Sequence, residues 1–249
     1  MNQEARWLLE EKYDGTESEA FRADLERLKT GTPLAYLIGS VPFLNCTIHL
    51  DSHPLIPRSE TEFWTERAIE TIKKYPAQGM VRVLDLCAGS GAVGVAVAHA
   101  IPLAQVTFGE IETEHLATIA KNLEAHNIPC TRYQVFASDL FENIGGTFDF
   151  ILTNPPYIDP ILDRTETSVK AHEPHSALYG GTDGMELIKR IIIQAPEYLT
   201  QNGQLWIEHE PEQVSAITAL AKENDFSCVT HNDQYNTARY SVLTRTTLE

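Results

Sequence analysis

"VRVLDLCAGSGAVGVAVAHAI" occupies residues 81–101, and its reading decides the fold. The opening run of branched apolar residues suits a strand covered on both faces. The closing run suits a buried helix. Between them lie Gly89, Gly91 and Gly94, in a Gly-x-Gly-x-x-Gly spacing. Glycine at such a junction permits a tight turn and a close backbone approach, and the helix N-terminus behind it offers free amide donors. A strand, a glycine turn and a helix in this order predict the first unit of a wound parallel sheet.

Downstream the alternation continues. "AQVTFGEI" (104–111) reads as a strand and "ETEHLATIAKNLEAHN" (112–127) as a helix. "CTRYQVFASDLF" (130–141) and "TFDFILTN" (147–154) each contain a strand. "GMELIKRIIIQAPEYL" (184–199) is a helix, "GQLWIEHE" (203–210) a strand and "EQVSAITALAKEN" (212–224) a helix. "FSCVTHN" (226–232) and "ARYSVLTR" (238–245) close the sheet as a hairpin. The sum is an α/β class chain: a doubly wound, mostly parallel, seven-stranded Rossmann-like sheet with an antiparallel edge hairpin.

Upstream the pattern differs. Residues 3–13 and 18–29 have helical spacing, with Phe21, Leu25 and Leu28 on one face of the second helix. Residues 1–30 are expected to form a short helical N-terminal appendage that contacts the substrate. The stretch 31–57 is expected to be a β-hairpin linker, its short β-rich runs separated at Asn45–Cys46. The main domain is expected over 58–249, opening with a helix capped by Ser59 and closed into a capping box by Glu62. Leu248 and Glu249 read as a cloning remnant and carry no argument.

The glycine loop points to a nucleotide-type ligand, with Glu110 at the end of the next strand placed to accept from ribose hydroxyls. Asp85 chooses among such ligands. A carboxylate ending a buried strand is costly without partners, and a ligand carrying an ammonium and a sulfonium rewards it where a pyrophosphate does not. The loop 87–94 has no basic residue. S-adenosylmethionine is therefore preferred over a nicotinamide dinucleotide. Its expected contacts are Asp85, the loop residues Cys87, Ala88, Gly89, Ser90 and Gly91, then Glu110 and Ile111. Asp139 is expected to take the adenine amino group, with Leu140 beside the ring and Asn154 near the reacting end.

"TNPPYI" (153–158) follows a core strand. The prolines hold Asn154 extended and present carbonyls without matching donors. An amide nitrogen is a poor nucleophile because its lone pair is delocalised. Acceptors that grip both of its hydrogens turn that lone pair outward, and Asn154 Oδ1 and the Pro155 carbonyl can serve. The expected catalytic set is Asn154, Pro155, Pro156 and Tyr157, with Tyr157 packed on the planar group and no metal.

These segments resemble, in order and spacing, the class I S-adenosylmethionine-dependent methyltransferases, and Asn-Pro-Pro-Tyr marks the branch that methylates planar nitrogens. Pro33 to Gly39, "IPRSETE" (56–62) and "HEPHSALYGGTDG" (172–184) narrow the resemblance to the peptide chain release factor glutamine-N5 methyltransferases. The likeness covers about residues 31–245. It implies transfer of a methyl group to the glutamine of the Gly-Gly-Gln loop of a class 1 release factor. Glu110 stands where that family commonly has Asp, and the helical N-terminal region is shorter than the family's usual one. The ribosomal-protein glutamine methyltransferases are the nearest alternative, and "IPRSETE" speaks against them.

The acidic composition reads first as solubility, with a basic protein partner as the alternative, and a cytoplasmic location is expected. The net charge of −16, from 19 basic and 35 acidic residues, opposes nonspecific binding to nucleic acid, against a DNA or RNA amino-methyltransferase. No run is apolar enough to cross a membrane, no targeting segment opens the chain, and the four cysteines are scattered. A monomer is expected. An intact Asn154-Pro155-Pro156-Tyr157 argues against a catalytically silent scaffold.

Overall fold

The computed structural model describes residues 1–76 and 79–245, so Leu248 and Glu249 lie outside the described residues. The chain begins with α1 (Gln3–Tyr13) and α2 (Glu19–Lys29). Asn2 and Ser18 cap them, accepting from the Ala5 and Phe21 amides at 2.9 and 3.0 Å. A third helix, α3 (Leu34–Ile38), supplies the Leu37 that closes a small core with Leu8 and Phe21. The β-rich reading of this stretch is corrected here: "LAYLI" is helical and ends at Gly39 (φ 91°). A five-residue apolar run has no period to separate helix from strand.

The expected hairpin follows as β1 (Ser40–Phe43) and β2 (Cys46–His49), antiparallel and turning through Leu44 and Asn45. Then comes α4 (Ser59–Lys74). The expected capping box is absent. Arg58 is the N-cap residue, the Ser59 hydroxyl donates to Glu60, and the Glu62 carboxylate instead accepts from the Leu44 amide across the hairpin turn. A long-range partner has outcompeted the local one.

The main sheet comprises β3 (Val81–Leu86), β4 (Ala104–Glu110), β5 (Tyr133–Ala137), β6 (Phe148–Thr153), β7 (Leu199–Glu208), β8 (Phe226–Asn232) and β9 (Ala238–Arg245). Their order across it is β5-β4-β3-β6-β7-β9-β8. The first five run parallel to one another, while β9 runs antiparallel to both β7 and β8. Helices α5 (Ala92–Ala100), α6 (His115–Ala125), α7 (Thr167–His172), α8 (Glu186–Tyr198) and α9 (Val214–Glu223) complete the chain. Alternate strand residues face opposite cores. Val83, Val106 and Phe150 join Trp64 of α4 and Val95 of α5, and Leu84, Ile151 and Leu205 join Ile191 of α8 and Ile217 of α9. Burial on both faces is why these strands read as unbroken apolar runs.

The winding reverses between β3 and its two neighbours, β4 and β6, and crevices form at the carboxyl ends of strands at such a point. Asn122 of α6, fully buried, ties the linker to this place. Its Oδ1 accepts from His49 N at 2.7 Å, and its Nδ2 donates to the His49 and Ser90 carbonyls at 3.1 and 2.9 Å.

Candidate active site

A cleft opens at the carboxyl ends of β3, β4 and β6. Asp85, Cys87, Ala88, Gly89, Ser90, Glu110, Ile111, Asp139, Leu140, Asn154 and Pro156 line it, so eleven of the residues expected from sequence meet in one place. Gly91 does not line it; it caps α5 at φ 78°. Pro155 and Tyr157 line a second cavity that adjoins the cleft.

The turn after β3 is made by left-handed residues, Cys87 (φ 60°), Gly89 and Gly91. Gly94 serves packing rather than turning. A Cβ there would fall 2.3 Å from the Phe108 ring and 2.9 Å from Asp85 Oδ2. That close approach lets the Gly94 amide donate to Asp85 Oδ2 at 2.8 Å. Burial first, then the charge of Glu110, pushes the Asp85 carboxyl up to about 8 against the pull of this hydrogen bond.

Glu110 is held by two backbone amides, Gly89 N to Oε2 at 2.6 Å and Glu112 N to Oε1 at 2.8 Å. One donor per oxygen leaves each with a further lone pair for a vicinal diol. Asp139 accepts from Arg190 through Oδ2 at 3.0 Å, which leaves Oδ1 for another donor. Among the described residues, no lysine or arginine lines the cleft. Four carboxyls, those of Asp85, Glu110, Glu112 and Asp139, around a cavity with no lysine or arginine in its described lining suit a ligand bearing positive charge and disfavour a pyrophosphate. The chemistry of this donor set fits S-adenosylmethionine.

The second cavity is lined by Arg58, Pro155, Tyr157 and Val169, and it shares Leu55, Asn154 and Ala177 with the cleft. Asn154 therefore stands where the two cavities meet. Its Nδ2 donates to Thr61 Oγ1 of α4 at 3.2 Å. The Tyr157 hydroxyl turns inward and donates to Glu208 at 2.9 Å.

The segment after the loop folds back on it. Ile158 N donates to Leu178 O at 2.9 Å and Gly180 N to Ile158 O at 3.0 Å. A Cβ on Gly184 would lie 1.9 Å from Tyr157 O, and one on Gly180 would lie 2.5 Å from Pro156 O. Close backbone packing explains Gly180 and Gly184 of "LYGGTDG", and a left-handed φ of 74° explains Gly181. Glu173, buried, accepts from Ile56 N at 3.0 Å and Arg58 at 2.6 Å, pinning this segment to the linker. His172 and His175 hydrogen-bond local carbonyls, those of Ser168 and Lys170, and His175 also packs edge-on against Tyr179, as loop-packing residues do.

Sequence reasoning missed His115, Leu55 and Pro57 in the cleft wall, and it missed Thr61 and Glu208. For Glu208 the signal was available: a carboxylate ending the apolar run "LWIE" raises the same question of partners that Asp85 raised.

A family model described as "Methyltransferase small domain" matches residues 65–171. A release factor glutamine methyltransferase of Rhodopirellula baltica is 37% identical over 209 residues, covering 82% of this chain and 70% of the relative. One from Francisella tularensis is 32% identical over 220 residues, covering 88% and 76%. Among solved structures, a methyltransferase from Pyrococcus furiosus superposes with a TM-score of 0.56 at 17% identity, covering 89% of this chain and 97% of that one. A 16S rRNA N2 G1207 methyltransferase of T. thermophilus gives 0.55 at 20% identity, covering 83% and 49%. At such identities the structural likeness bears on the fold alone.

Proposed function

The chain belongs to the release factor glutamine methyltransferase family, and from that membership we propose that it methylates the side-chain nitrogen of the glutamine in the Gly-Gly-Gln loop of a class 1 release factor. The observation that carries this reading is the position of Asn154, which lines both the acidic cleft and the second cavity. S-adenosylmethionine, held in the cleft, supplies an electrophilic methyl group. Asp85 balances its positive charge, Glu110 holds its ribose and Asp139 its adenine. The glutamine side chain enters through the second cavity.

Asn154 Oδ1 and the Pro155 carbonyl accept the two amide hydrogens, which aims the nitrogen lone pair into the cleft. The prolines hold these acceptors rigidly, so little reorganisation is left for the moment of reaction. In-line positioning of this kind is worth roughly 7–11 kcal/mol in favourable cases. Tyr157, anchored through its hydroxyl, forms part of the second cavity's wall. The N-terminal helices and the hairpin grip the folded release factor. The enzyme acts as a monomer in the cytoplasm on a protein rather than on nucleic acid, in keeping with its charge of −16.

Incubation with a folded class 1 release factor and S-adenosylmethionine, followed by peptide mass spectrometry, should show a one-methyl mass gain on the Gly-Gly-Gln glutamine. Methylation of RNA, DNA or a ribosomal protein instead, with the release factor unmodified, would refute the assignment.

A further inference from the structure

We propose that Thr61 and Glu208 are positioning residues that dictate which end of the Asn154 carboxamide faces the incoming amide. The inference rests on the reading of Asn154 as the acceptor and explains how that acceptor is aimed.

An Asn side chain is nearly symmetric in shape, and rotating it by half a turn exchanges an acceptor for a donor. A donor at this place would repel an amide hydrogen. The backbone does not decide between the two ends, because the prolines fix φ and ψ and leave the terminal torsion free. Something in the surroundings must break the symmetry.

Glu208, 1% exposed at the end of β7, does so at one remove. Its Oε2 accepts from Trp64 Nε1 at 2.6 Å and from Thr61 Oγ1 at 2.7 Å, and its Oε1 accepts from Tyr157 Oη at 2.9 Å. The Trp64 N–H can only donate, and an ionised Glu208 has no hydrogen to give back, so Oε2 accepts from both Trp64 and Thr61. Thr61 has a single hydroxyl hydrogen, and it is spent on that oxygen. The Thr61 oxygen therefore offers only lone pairs to its remaining neighbour, Asn154, 3.2 Å away. Only the NH2 end of Asn154 can meet it. Oδ1 is thereby turned away from Thr61 and left for another donor.

The polarity runs one way along Trp64, Glu208, Thr61 and Asn154. Protonating Glu208 on Oε1 would reverse only the bond to Tyr157 and leave the branch to Asn154 unchanged. An apolar trio of similar volume would pack α4 against β7 without burying a carboxylate. What the polar set adds is direction.

The test compares Thr61→Val, nearly isosteric but without a hydroxyl, with Thr61→Ser, which keeps one. Thr61→Ala repeats the deletion in case the valine methyl is poorly accommodated. With release factor as acceptor, kcat should fall about tenfold or more in the valine and alanine variants, as expected when a preorganised group is left unaimed. KM for S-adenosylmethionine should stay within about threefold, because the cofactor carboxyls are untouched, and serine should restore kcat to within about threefold, the size of a modest hydrogen-bond adjustment.

Independently of any methyl acceptor, the Asn154 side-chain NH2 resonances, assigned by their loss in Asn154→Ala, should exchange slowly in the wild type and Thr61→Ser. In Thr61→Val they should exchange rapidly. Equal kcat in the wild type and Thr61→Val, an equal loss in valine and serine, or identical NH2 exchange in wild type and valine would overturn the proposal. If the wild type methylates no release factor, the functional reading fails, and the NH2 exchange comparison alone decides this inference.

Discussion

Replacing Asp85 by Asn probes whether the cleft is built for a cation. The wild-type carboxyl is 2% exposed, and burial, reinforced by Glu110, lifts it from 3.8 to about 8 despite the Gly94 hydrogen bond. At pH 7 it is therefore mostly protonated while no ligand is bound. An ammonium and a sulfonium placed beside it favour the charged form and drive that proton off. Binding of S-adenosylmethionine should then release most of that proton at pH 7, and affinity should rise by as much as about tenfold per pH unit between about pH 5 and 8 before levelling.

Stability of the empty protein moves the other way. Because the folded pKa lies above the unfolded one, the folded state binds more protons between about pH 4 and 8, and this group's contribution declines as pH rises through that window. Full ionisation costs on the order of 5 kcal/mol. Asp85→Asn keeps an acceptor for the Gly94 amide and removes this cost. Near pH 9 its Tm should exceed that of the wild type by roughly 10 °C, with the two converging toward pH 4.

Calorimetric titration in buffers of different ionisation enthalpy measures the released proton, and S-adenosylhomocysteine, which lacks the sulfonium charge, should release less. Heats independent of buffer in the wild type would refute the reasoning. So would a variant that retains both the wild-type affinity and its pH slope.

Three further outcomes follow from the packing. Gly94→Ala drives a methyl into the Phe108 ring and Asp85, so denaturant unfolding should show a loss of about 1–3 kcal/mol, with weaker cofactor binding. Arg58→Ala leaves the buried Glu173 with only the Ile56 amide, which should cost about 1–3 kcal/mol given the partial exposure of Arg58, and amide exchange should rise across residues 159–181. At Asp24, burial raises the carboxyl but hydrogen bonds from Lys12, Tyr13 and Arg27 outweigh it and hold it below the ordinary value. Its stabilisation is present above pH 4 and lost as the pH falls further, so Asp24→Asn should flatten the acid limb of α1 and α2 protection from exchange.

Elements that bury both faces were legible in the sequence, because an apolar run of strand length between turn residues has one common reading. β3, β4, β6 and β7 are such runs. α3 was not legible, since five residues are too few to show a period. The capping box at Ser59 failed because Glu62 found its partner in Leu44. The glycine loop and Asn-Pro-Pro-Tyr were legible because their chemistry is local: it depends on which residues adjoin.

The sequence by itself determined the αβ winding, the acidic cofactor crevice and a rigid loop presenting an amide, for these follow from neighbours along the chain. The aim of that amide was settled only in three dimensions. Thr61 and Glu208 are 147 residues apart and meet because β7 pairs with β6 beneath α4. A hydrogen bond has a direction that composition does not record, and that direction exists only once the fold has brought donor and acceptor together.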